Sequence, residues 1–128
     1  MINNKPDSRP VFLNLLRIRQ PITAIVSIAH RISGVLLFLS LPYLIWLLDR
    51  SLSSPQEYAS VVQHLSSPLN KFLLLIIAWA AAHHFFAGIR FLLLDIDIGI
   101  DLAIARKTAL AVNVVGVVGV LVAMVVML

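Results

Sequence analysis

Apolar residues fall in three long stretches separated by short polar segments. The first, Ile22 to Leu48, is interrupted by Thr23, Ser27, His30, Arg31, Ser33 and Ser40, and its last 17 residues, from Ile32 on, carry no charge. The second, Phe72 to Leu94, is 23 residues long and holds His83, His84 and Arg90. The third, Ala109 to Leu128, is 20 residues long, with Asn113 as its only clearly polar member. A membrane-spanning helix needs roughly 20 such residues, and a lone segment in lipid must satisfy its own backbone groups, which a helix does. The pattern therefore predicts an all-α membrane protein with helices over about 22–48, 72–94 and 109–128.

The polar remainder forms a tail and two loops. Residues 1–20 form a basic tail punctuated by Pro6 and Pro10, and 21–128 form one transmembrane domain that opens on Pro21, a residue suited to a helix start. In the first loop, Asp49 to Asn70, Ser54 and Glu57 stand at capping-box spacing, so Pro55 to Leu65 is expected to form a short interfacial helix. Asp95 to Lys107 is the second loop. Its Asp97 and Asp101 have no third ligand nearby and read as a solvated face.

Composition sharpens this picture. Of 128 residues 60% are apolar and only 12% charged, against about 25% charged in an average soluble domain. That balance excludes a disordered chain and an ordinary soluble globule. The absence of cysteine excludes disulfides and thiolate metal sites. The net charge of +4 has no interleaved aromatic residues, so the expected partner is a lipid bilayer and not nucleic acid.

The distribution of Lys and Arg sets an expected orientation. Lys5, Arg9, Arg17 and Arg19 lie in the tail, and Arg90, Arg106 and Lys107 in or beside the second loop, whereas the first loop and its flank hold only Arg50 and Lys71. Seven against two predicts an N-terminus inside and a C-terminus outside. No cleavable signal or mitochondrial leader is apparent, and a bacterial inner membrane is the expected location.

Polar residues inside the stretches carry the candidate chemistry. Ser27, His30 and Arg31, at i, i+3 and i+4, share one helix face, with Gly34 one turn beyond His30. A charge at mid-helix costs roughly 2.5–3.5 kcal/mol, and guanidinium is a usual partner for anionic groups. His30 and His84 fall at nearly equal depth when the first two helices run antiparallel. Ala80, Ala81, Ala87 and Gly88 surround His84 with small side chains. Such a stripe suits either a flat macrocycle with an imidazole axial ligand or a small-residue packing seam. His83 lies about 100° round the helix, on the side of Phe86 and Arg90. Arg90, with Asp95, reads either as an interfacial anchor or as a contact to a haem propionate or partner.

Arg9-Pro10, the segment PITAIVSIAHRISGV from Pro21 to Val35, and HFFAGIRFLLLD from His84 to Asp95 together resemble the cytochrome b membrane-anchor subunit of succinate dehydrogenase, respiratory complex II. The resemblance spans nearly the whole chain. It implies three helices that pack with a sister anchor subunit around haem b, with a flavoprotein and an iron–sulfur subunit docked on the inner face. His84 falls on the axial haem ligand, the second ligand coming from the sister subunit. His30 and Arg31 fall beside the haem propionates, and Ser27 and Arg31 on the ubiquinone site. Gly34, Ala81 and Gly88 then pack against the haem. The family often has His where Phe91 stands here. The implied role is electron transfer from succinate to ubiquinone, with no succinate oxidation by this chain alone. Two alternatives remain: a quinol:fumarate reductase anchor, and a small membrane scaffold without haem.

Overall fold

The computed structural model describes residues 18–127. Arg9-Pro10 and most of the basic tail, including Lys5 and Arg17, lie outside the described residues. The elements are α1 (Ile22–Ser53), α2 (Pro55–Leu65), α3 (Pro68–Asp95) and α4 (Leu102–Met127). Of these, α1, α3 and α4 are long and apolar enough to cross a membrane.

All three long helices start or end beyond the apolar stretches, because a helix runs on through the interface until a cap stops it. α1 continues past Leu48 to Ser53, and α3 begins at Pro68, four residues before Phe72. There Pro68 occupies the first turn, and the Ser67 hydroxyl accepts from the Asn70 N–H at 3.4 Å. α4 begins at Leu102, seven residues before Ala109. Its first turn closes with the Ala105 N–H donating to the Asp101 carbonyl at 2.8 Å. The earlier start carries Arg106, Lys107 and Thr108 into the helix.

The short helix α2 forms where the capping pattern placed it. The Ser54 hydroxyl accepts from the Glu57 N–H at 3.1 Å. The reciprocal half of the box gives way to an ion pair, since the Glu57 carboxylate turns to Arg50 at 3.1 Å. Side-chain bonds then tie α2 to the bundle. The Asn70 amide donates to the His64 carbonyl at 2.7 Å, and the Tyr43 hydroxyl donates to Asn70 Oδ1 at 3.2 Å.

α3 packs between α1 and α4. The contacts show both pairings to be antiparallel: Tyr43 meets Asn70 and His30 meets His84, while Trp79 meets Gly116 and Arg90 meets Ala105. Lys71, at the start of α3, donates to the Met127 carbonyl at the end of α4 at 3.1 Å, a cation placed on an unsatisfied helix C-terminus. The turn from α3 to α4 is a Schellman closure. The Ile98 N–H donates to the Leu93 carbonyl at 2.9 Å and the Asp97 N–H to the Leu94 carbonyl at 3.1 Å, with Asp97 in the left-handed region at φ 60°.

The buried core is small. Val26, Ala87, Ala109 and Val112 form it, and Ile22 and Phe91 pack against it. Most large apolar side chains point outward, among them Phe38 at 71% exposure and Leu92 at 67%. In water such a surface would drive association; in a bilayer it is the face turned to lipid, and close helix contact falls to small and polar residues.

Candidate functional site

His84 sits where α3 faces α1. Its Nδ1 lies 3.1 Å from the His30 carbonyl oxygen and 3.2 Å from the Ser33 hydroxyl. A carbonyl oxygen only accepts, so Nδ1 carries the proton and donates. The Ser33 hydroxyl donates to the same carbonyl at 2.8 Å. This arrangement fixes the tautomer and leaves the Nε2 lone pair free, the state a metal-ligating imidazole needs.

The sequence makes room for that ring. A Cβ on Gly34 would lie 2.9 Å from His84 Cε1, so a side chain there displaces the imidazole. The His30 ring stacks on the His84 ring with centroids 4.2 Å apart and planes 11° from parallel. Phe91 packs near His30 as well, its ring centroid 5.2 Å away. A Cβ on Gly88 would stand 3.7 Å from His30 Nε2, an ordinary contact. Ala81, one turn from His84 along α3, is exposed.

The remaining predicted residues divide. Arg31 is exposed and Ser27 half-buried on α1, on either side of His30 in sequence. Among the described residues neither side chain makes a hydrogen bond. Asp95 is exposed at the end of α3.

Arg90 differs from the interfacial anchor that its position suggests. It is buried, 6% exposed, and bridges to α4: Nε donates to the Thr108 hydroxyl at 3.1 Å and a terminal nitrogen to the Ala105 carbonyl at 3.2 Å. Its guanidinium also lies 5.4 Å from the Phe91 ring centroid. Two acceptors and an aromatic face hold the charge in place of bulk water.

His83 also turns to α4. It is 1% exposed, its Nε2 donates to Asn113 Oδ1 at 3.3 Å, and its ring stacks on Trp79. The pairing with Asn113 was not legible in the sequence, because a lone Asn in an apolar helix names no partner. Among the described residues no group of three metal-ligating side chains comes together, and Asp97 and Asp101 are both exposed.

Taken together, the geometry defines an all-helical membrane protein with three candidate spans, in which the His84 imidazole stands against Gly34 with its Nδ1 bonded to the His30 carbonyl. Comparison with known proteins gives the family. Residues 5–123 match the model of the succinate dehydrogenase/fumarate reductase transmembrane subunit, and the chain belongs to that family. It is 36% identical over 116 residues to a succinate dehydrogenase cytochrome b556 subunit of Coxiella burnetii (strain RSA 493 / Nine Mile phase I), covering 90% of this chain and 93% of the relative. It is 32% identical over 104 residues to the succinate dehydrogenase cytochrome b556 subunit of Paracoccus denitrificans, covering 81% of this chain and 80% of that one. It is thus a membrane-anchor subunit of the succinate dehydrogenase/fumarate reductase family.

Proposed function

We propose that this chain is the haem b anchor of a succinate:ubiquinone oxidoreductase. The observation that carries the proposal is the Nδ1 hydrogen bond from His84 to the His30 carbonyl, which leaves Nε2 free for iron. The cytochrome b556 names of the relatives support a b-type haem. His84 is the well-placed imidazole among the described residues, so a sister anchor subunit would supply the iron's other ligand. Haem b, when bound, supplies a one-electron redox centre.

The chain's own residues do the rest. His84 would hold the iron, and the absence of a side chain at Gly34 and the stacked His30 ring fix the plane of its imidazole. His30 and Arg31 would offer the haem propionates a donor and a cation. Ala81 and Gly88 give the macrocycle a smooth wall. Ser27 and Arg31 orient ubiquinone near the inner interface: the guanidinium donates to a quinone carbonyl oxygen and stabilises the negative charge that gathers there on reduction. Succinate oxidation belongs to a flavoprotein subunit, from which an iron–sulfur subunit passes electrons on, and both dock on the inner face beside the basic tail, Arg106 and Lys107. Asp95 ends α3 at that face. With Arg90 inside the bundle, the remaining basic residues still favour an N-terminus inside and a C-terminus outside. The proposed location is a bacterial inner membrane.

Gentle detergent purification with mass spectrometry of the co-purifying chains tests the assembly. A flavoprotein, an iron–sulfur protein and a second three-helix anchor are expected. Isolation of the chain alone, with no visible absorption band, contradicts the proposal and favours a scaffold without haem. The family description covers fumarate reductases as well, and comparing the two reaction directions in the purified complex separates these readings.

A further inference from the structure

We infer that His83 and Asn113 are positioning residues that aim the neighbouring His84 at its ligand position. The inference rests on the haem reading above. Successive side chains on a helix diverge by about 100°, so α3 directs His83 towards α4 and His84 towards α1. Whatever fixes the rotation of α3 therefore sets where the His84 imidazole points.

The bond to Asn113 and the close approach at Gly116 fix it from the α4 side, while a contact within α3, to Trp79, steadies the ring. His83 Nε2 bonds Asn113 Oδ1 at 3.3 Å. The His83 ring stacks on Trp79 at 5.4 Å and 29°. Gly116 lets α4 approach this pair, since a Cβ there would lie 3.2 Å from Trp79 Nε1 and 3.4 Å from the His83 Cβ. The other ring nitrogen, Nδ1, is buried without a hydrogen-bond partner among the described residues. Leaving it so is costly in a membrane interior, and the burial persists because Asn113 and Trp79 hold the ring in the seam.

The tolerance on the other side is small. A rotation of about 10° moves an imidazole about 6 Å from the helix axis by about 1 Å. A shift of that size breaks the His84 Nδ1 contact of 3.1 Å to the His30 carbonyl. Ligand sites need their side chains held within about 0.5 Å. In lipid no water replaces a lost cross-helix bond, so the His83–Asn113 pair restrains rotation where apolar contacts slide.

The test uses the purified complex with His83→Phe, which keeps a flat ring against Trp79, and Asn113→Leu, which keeps side-chain size. The double variant completes a cycle, and Val112→Ala, which loosens the same seam without touching the pair, is the control. Haem transfer to apomyoglobin and the g values of the low-spin haem are read. The inference predicts assembled complexes in which either substitution speeds transfer roughly 10-fold and shifts the highest g value. The double variant should match the singles, and Val112→Ala should leave the g values in place. Unshifted g values in either single variant overturn it, as does an equal shift in Val112→Ala. Failure of both singles to assemble also overturns it, because the pair then holds the fold and not one ring. A parent complex without haem removes the haem reading itself, an outcome distinct from all of these.

Discussion

The Nδ1 of His84 lies 3.1 Å from the backbone carbonyl of His30, on a different helix. The acceptor is main chain, so it survives any side-chain change at position 30. His30→Ala should therefore keep the His84 tautomer and retain haem, while removing the stacked ring. A spectrum with retained intensity and a small band shift is expected, and complete haem loss in that variant would count against this division of roles.

Gly34 and Gly88 face the two histidines at different distances, 2.9 Å and 3.7 Å for an added Cβ. Gly34→Ala should displace His84, with an overpacking cost of about 1–3 kcal/mol seen as weakened haem retention. Gly88→Ala meets only ordinary contact with His30 and leaves His84 in place, so it should lower haem retention less than Gly34→Ala. Haem-to-protein ratios of the two purified variants check this, and equal retention would contradict it.

Ser27 and Arg31 carry the proposed quinone contact. Losing a charged hydrogen bond costs about 1.5–3 kcal/mol, a rate loss of roughly 10- to 100-fold. Arg31→Ala and Ser27→Ala should slow succinate:ubiquinone reduction, Arg31→Ala the more. Succinate oxidation with a soluble dye acceptor should persist. Parallel loss of both activities would point to failed assembly instead.

Asp97 holds a left-handed conformation at φ 60° in the turn that closes α3. Glycine adopts that region without the roughly 1–2 kcal/mol penalty of other residues. Asp97→Gly should raise the thermal midpoint of the detergent-solubilised complex, and a lowered midpoint would mean that the Asp97 side chain has an unseen partner.

At the other loop, Ser54→Ala removes the cap of α2 and should cost about 1 kcal/mol. Glu57→Gln breaks only the exposed pair with Arg50, whose side chains are 48% and 40% accessible, and should cost at most about 0.5 kcal/mol. The ranking of thermal midpoints checks both.

The three spans were legible because lipid demands long apolar runs, and α2 because Ser54, Pro55 and Glu57 announce a helix start. The helix ends were not. Polar residues such as Arg50 and Lys107 continue a helix into the interface, where hydropathy falls before the hydrogen-bond ladder does. The face of Ser27, His30 and Gly34 followed from spacing on one helix. The burial of Arg90 and His83 did not, because it depends on Thr108, Ala105 and Asn113, which another helix brings. The role of the Gly34 gap also needed the fold, since the sequence shows a small residue but not the His84 ring opposite it.

The central claim is that this chain holds iron through His84. The reduced-minus-oxidised visible spectrum of the purified complex, recorded for the parent and for His84→Ala, tests it most directly. The account predicts a b-type spectrum in the parent and its loss or clear alteration in the variant. An identical spectrum from the two proteins would contradict it.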